Sequence, residues 1–242
     1  MTSSSATPAA PILSVRGLGV ERANRWIVDG VDLEVRAGEL LALLGPNGAG
    51  KTTTIRCCTG VWQPDRGDVA VAGEAPSRAA AAAAIGFMPQ SAGAWSGIKA
   101  GELLRYFAGL YADPLPLPPL VEALGLTAVL RTPYRHLSGG QQQATNLIAA
   151  VVGRPQLALL DEPTAGMDPR ARRTTWELMA QLRDAGVAVL LTTHALDEAE
   201  ELADRIAIMD RGRIRLTGTP AELLADRTLE QLYLDHTSEA AA

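Results

Sequence analysis

Hydrophobic positions along the chain follow two periods. Glu39 to Leu44 is a nearly continuous apolar run that stops at Gly45, and Leu157 to Leu160 and Ala188 to Thr192 are equally unbroken. Short apolar runs closed by turn residues suit strands buried on both faces of a parallel sheet. Leu13 to Arg16 and Val31 to Val35, the latter alternating apolar with acidic, predict two earlier strands. Gly67 to Val71 and Ile85 to Met88 predict two more. Arg205 to Asp210 and Arg213 to Thr217 predict a closing hairpin around Gly212.

Helical patterns fall between these runs. Gly50 to Cys58 predicts a helix ended by Gly60, and the alanines Ala79 to Ala84 a helix piece. Gly101 to Tyr111 sets Leu103, Leu104, Phe107, Leu110 and Tyr111 on one helical face. The proline-dense stretch Asp113 to Pro119 predicts a helix-breaking loop, and Gly139 to Val152 a helix. Asp168 and Pro169 open a helix to Ala185 that Gly186 ends, with Thr175, Leu178, Met179 and Leu182 as its apolar stripe. Strands alternating with helices imply an α/β fold with a mostly parallel sheet covered on both faces. No longer repeat is visible.

Composition narrows the functional classes. The 242 residues suffice for one large domain with a real core. A net charge of −5 and only 4% aromatic residues argue against a nucleic-acid surface, so no nucleic-acid partner is expected. The two cysteines are adjacent, Cys57 and Cys58, which is neither a disulfide framework nor a zinc spacing. They are read as buried small side chains in a reducing compartment. No apolar stretch is long enough to span a membrane. Met1 to Pro11 lacks the pattern of a signal peptide and is expected as a disordered lead. Together these readings predict a protein kept in the cytoplasm.

Two clusters carry chemistry. Gly45-Pro46-Asn47-Gly48-Ala49-Gly50-Lys51-Thr52 fits the phosphate-loop pattern G-x-x-x-x-G-K-S/T, between an apolar strand and a helix as that pattern demands. Its glycines let backbone N–H groups turn inward, and the helix N-terminus favours negative charge. Lys51 is expected on the β- and γ-phosphates and Thr52 on Mg²⁺, with Thr53 following in the same cradle. Asp161 and Glu162 end a buried strand at the edge where parallel sheets bind ligands. Asp161 suits Mg²⁺ through water, and Glu162 suits the proton or orientation of an attacking water.

Leu137-Ser138-Gly139-Gly140-Gln141 then decides among phosphate-loop proteins, because it matches the LSGGQ signature in full. With it the chain resembles the ATP-binding cassette (ABC) ATPases from about Leu13 to Leu224. Its motifs stand in the family order: the phosphate loop, Gln90 after Ile85-Gly-Phe-Met-Pro, the signature, Asp161-Glu162, Ala165-Gly-Met-Asp168 and His194. Two glycines and a serine opening a helix make a second anion cradle. The resemblance implies a phosphate-loop NTPase core with a mostly parallel sheet, an antiparallel β subdomain and a helical signature subdomain near residues 91–152. The ATPase domain is expected over 12–235, with a flexible tail at 236–242.

The resemblance also implies function. The signature of one subunit, Ser138 to Gln141, closes on the γ-phosphate held by the other's phosphate loop, so a dimer sandwiches ATP. Gln90 resembles the glutamine that touches Mg²⁺ and the water, His194 the switch histidine, and Asp168 the aspartate that crosses the dimer. Asp168 is equally a plain helix N-cap. His136 and His236 are read as structural. Hydrolysis by Glu162, Lys51, Gln90 and His194 would drive an integral membrane permease, whose cytoplasmic helix enters a groove near Gln90 and Gly101 to Tyr111. The subunit is then peripheral on the inner face of the cell membrane. Trp176 to Leu224 and Leu103 to Tyr111 are similar to the exporter branch that moves drugs, antibiotics, lipids and polysaccharides. The alternatives are an importer subunit, a non-transport cassette acting on a macromolecular complex, and a regulatory module that binds ATP without turnover. Two departures stand out. Arg22, with Trp26 nearby, occupies the position of the family's adenine-stacking aromatic residue, and Ala144 and Ala149 replace usual arginines of the signature helix.

Overall fold

The structure, a computed structural model, describes residues 10–76, 79, 83–90 and 97–237. The chain opens with β1 (Leu13–Arg22), β2 (Arg25–Val35), β3 (Leu40–Leu44), α1 (Lys51–Cys58), β4 (Arg66–Val71) and β5 (Ile85–Met88). A helical stretch follows: α2 (Ala100–Ala108), α3 (Leu117–Ala123) and α4 (Gly139–Val151). The chain then returns to the sheet through β6 (Leu157–Asp161), α5 (Pro169–Asp184), β7 (Ala188–Thr193), α6 (Leu196–Leu202), β8 (Arg205–Asp210) and β9 (Arg213–Gly218). It closes with α7 (Pro220–Leu223) and α8 (Leu229–His236).

The main sheet runs β5-β6-β7-β3-β8-β9, parallel except for the β8–β9 hairpin. A second sheet, β2-β1-β4, is antiparallel. All five residues of β3 are buried because both of its faces are covered. Leu41 and Leu43 join the core shared with the antiparallel sheet, while Leu40, Ala42 and Leu44 join the core under α5, α6 and α8. This period of two is what a strand between two layers requires. Each leucine so buried contributes about 1.5–3 kcal/mol. Helices α2, α3 and α4 build a smaller core from Leu104, Val121, Leu126, Ala144 and Ile148. Ala144 thus sits inside an apolar helical unit, and Ala149 packs at its border.

Several elements differ from the sequence expectation, each for a local reason. β1 runs on to Arg22 because Gly17, at φ +57°, absorbs a register shift between Val15 and Leu18. That bulge interrupts the alternation. Helix α2 stops at Ala108, so Leu110 is 59% exposed instead of continuing the apolar face. Tyr111 instead lays its ring over Gly153, where an added Cβ would stand 2.3 Å from it. The prolines of Asp113 to Pro119 start a helix as well as breaking one. Pro118 and Pro119 occupy the first turn of α3, where no N–H partner is needed. Of the alanine run, Ala83 and Ala84 are helical, and residues 80–82 lie outside the described residues. Helix α8 includes His236, whose Nδ1 lies 2.9 Å from Leu232 O, and residues 238–242 lie outside the described residues.

Candidate functional site

The phosphate loop leaves the carboxyl end of β3 at the centre of the main sheet and feeds α1. Two of its glycines are dictated by space. A Cβ on Gly45 would lie 2.3 Å from Met209 O, and one on Gly50, at φ +110°, 2.9 Å from Ile27 O. The Lys51 Nζ donates to Gly45 O at 2.6 Å and to Pro46 O at 3.2 Å. Burial lowers the pKa of this ammonium, and the Glu162 and Asp161 carboxylates act in the opposite sense. Asn47, Gly48, Ala49, Gly50, Lys51, Thr52 and Thr53 line a cleft of about 330 Å³ with Ile27, Gln90 and Glu162. A glycine-rich loop at a helix N-terminus, with one buried lysine, suits a polyphosphate.

The acidic pair ends β6 beside the cleft, which Glu162 lines. Asp161 is the last residue of β6 and Glu162 the next. Thr192, opposite Asp161 on β7, donates its hydroxyl to Asp161 Oδ1 at 2.5 Å. Asp161 Oδ2 is buried and has no hydrogen-bond partner among the described residues. A buried carboxylate oxygen left open, on a group whose charge reaches Lys51, fits a divalent cation. Glu162 holds the left-handed conformation at φ +51°, which is costly for a residue with a Cβ. The reward is position. Its Oε2 accepts from Gln90 Nε2 at 3.0 Å, and its Oε1 lies 3.3 Å from His194 Nδ1. Three residues from three distant segments therefore meet at one carboxylate. The Gln90 carbonyl in turn accepts from Gln143 Nε2 of α4 at 3.4 Å, a tie absent from the sequence expectation.

The signature lies elsewhere. Ser138 is the N-cap of α4 in a reciprocal box: Gln141 N donates to Ser138 Oγ at 3.3 Å, and Ser138 N donates to Gln141 Oε1 at 3.0 Å. Ser138 and Gly139 are exposed. Ser138, Gly140, Gln141 and Asp168 share a cavity of about 380 Å³ that has no residue in common with the phosphate-loop cleft. Asp168 caps α5, its Oδ1 accepting from Arg170 N at 2.9 Å and Ala171 N at 3.0 Å. Within one copy the structure brings Lys51, Thr52, Gln90, Asp161, Glu162 and His194 together, and it does not bring the signature to them.

Arg22 lies over the Trp62 ring at 4.9 Å and pairs with Asp65 at 3.1 Å, and Trp26 lies under Arg66 at 4.2 Å. Neither lines the cleft, which the β1–β2 hairpin reaches through Ile27. Cys57 and Cys58 are free and buried. Burial pushes the Cys57 thiol up to about 11 and the Cys58 thiol higher still, which leaves both unreactive. Ile27, Thr192 and Gln143 are the site residues that sequence reasoning missed. A polar pair ending the apolar strand β7, Thr192 and Thr193, was the one usable signal.

A glycine-rich loop at the carboxyl end of a central parallel strand, facing an acidic strand end, defines a phosphate-loop nucleotide-binding protein. The family model described as ABC transporter matches residues 28–165. The chain is 37% identical over 223 residues to the Nod factor export ATP-binding protein I of Ralstonia nicotianae, covering 89% of this chain and 70% of that protein. It is 40% identical over 212 residues to the protein of the same name from Sinorhizobium fredii, covering 84% of this chain and 62% of that one. A solved ATP-binding subunit of an ABC transporter superposes with a TM-score of 0.84 at 29% identity, over 93% of this chain and 98% of the other. The chain belongs to the ABC transporter family and is an ATP-binding subunit that hydrolyses ATP. Among the described residues no helix is long and apolar enough to cross a membrane.

Proposed function

We propose that two copies of this chain close head to tail around ATP and Mg²⁺, and that the closure drives export through a separate integral membrane subunit. The observation that carries the reading is the separation of the two anion cradles. Lys51 with its loop, and Ser138 with its exposed helix N-terminus, open into different cavities of one copy. A second copy turned by a two-fold axis supplies the missing half to each. Asp168, beside Ser138 in that cavity, would cross the same interface. The export direction rests on the relatives, whose names are those of export ATP-binding proteins. A chain that lacks a membrane-spanning helix among its described residues would work from the inner membrane face against a permease.

Thr52, Asp161 and Gln90 are the residues that would hold Mg²⁺, which when bound neutralises charge between the β- and γ-phosphates. The protein's own groups do the rest. Lys51, the loop N–H groups and His194 hold the γ-phosphate and its developing charge. Glu162, oriented by Gln90 and His194, accepts the proton of the attacking water. Replacing Glu162 with Gln keeps the size and the contacts but removes the base. Glu162→Gln is expected to bind ATP, remain a dimer by small-angle scattering and lose about 10²–10⁴-fold in turnover. Unchanged turnover would reject Glu162 as the base, and a monomer in ATP would reject the sandwich.

A further inference from the structure

We propose that Glu198 is a positioning residue for hydrolysis, acting through Thr164 on the turn that carries Glu162. Glu198 lies on α6, four residues after His194, and is fully buried. No lysine or arginine contacts its carboxylate among the described residues. Instead a single oxygen, Oε1, accepts from Thr164 Oγ1 at 2.8 Å and from Trp176 Nε1 at 2.9 Å. The other oxygen, Oε2, is buried without a hydrogen-bond partner among the described residues. A carboxylate in that setting is costly, and a buried group so poorly served is maintained for what it holds in place.

What it holds is the junction of three segments. Thr164 belongs to the turn after Glu162, closed by Ala165 N to Glu162 O at 3.2 Å and Met167 N to Thr164 O at 3.1 Å. Trp176 stands on α5, the helix capped by Asp168. Glu198 itself is fixed to the helix that follows His194. The left-handed backbone of Glu162 persists only while its surroundings over-determine it. On one side Glu162 N donates to Thr192 O at 3.0 Å. On the other, the hydroxyl of Thr164, two residues on, is tied to Glu198. Releasing that tie frees the turn to relax, which moves the Glu162 carboxylate away from Gln90 and His194. Glu198 is not among the residues that line the phosphate-loop cleft, so nucleotide binding there is expected to persist.

The inference rests on Glu162 acting as the base, and Glu162→Gln, assayed in parallel, tests that premise separately. Thr164→Val removes the hydroxyl at constant shape and is expected to lower kcat about ten- to a hundredfold, with ATP KM and Kd unchanged. Trp176→Phe removes the other donor and is expected to lower the melting temperature while kcat holds. Glu198→Gln keeps an acceptor oxygen for Thr164 and is expected to retain kcat within about threefold, whereas Glu198→Leu falls with Thr164→Val. Wild-type kcat in Thr164→Val, or equal kcat losses in Thr164→Val and Trp176→Phe, would overturn the proposal. Those results would leave the base assignment standing if Glu162→Gln is inactive. Thr164→Val decides the matter even where Glu198→Leu does not fold.

Discussion

Burial lowers the pKa of Lys51 while the Glu162 and Asp161 carboxylates resist the shift, so the nucleotide-free protein keeps a cation that its surroundings disfavour. The folded pKa lies below the unfolded value of about 10.4. Between the two the unfolded chain binds more protons, so folding stability rises with pH across that window. The urea midpoint of the nucleotide-free protein is therefore expected to gain more, as pH rises toward the unfolded value of about 10.4, than that of Lys51→Met. Equal gains would mean that the buried ammonium carries no such cost. A polyphosphate supplies the charge the pocket lacks, so saturating ATP should flatten the difference. Lys51 was legible in the sequence because its motif is contiguous. Thr192 and Glu198 were not, because their partners Asp161 and Thr164 lie 31 and 34 residues away and meet them only through strand register and helix packing.

Elements were legible where one physical rule acted alone. β3, β6 and β7 are bounded by turn residues and buried on both faces, so apolar runs mark them. The rule failed where two signals collided, as at Pro118 and Pro119, where residues that break helices also begin one. Asp168 carries two readings, N-cap and dimer contact, and the caps separate them. Asp168→Ala leaves the N–H groups of Arg170 and Ala171 without their side-chain acceptor and should cost about 1 kcal/mol, which is about 2–4 °C in melting temperature for a domain of this size. Asp168→Asn keeps an acceptor oxygen and should melt within about 1 °C of wild type. If Asp168 only caps α5, Asp168→Asn hydrolyses ATP normally. If it also crosses the interface through its charge, Asp168→Asn melts normally and turns over more slowly.

At the scale of the whole molecule, the division of the ATP site between copies makes a quantitative claim. Lys51→Ala removes the phosphate-loop cation and Ser138→Arg blocks the signature cradle, so each variant alone contains no complete site. In an equal mixture half of the dimers pair one of each. Such a dimer joins the intact loop of one copy to the intact signature of the other, and joins the two damaged halves in its second site. About one quarter of all sites are then whole, which sets the ceiling for recovered turnover if the sites act independently. Turnover above the sum of the separate preparations requires a site built from two chains. The gain should grow with total protein concentration, because association is bimolecular. A mixture that never exceeds that sum, under conditions where wild type hydrolyses ATP, would return the site to a single copy and remove the dimer from the mechanism.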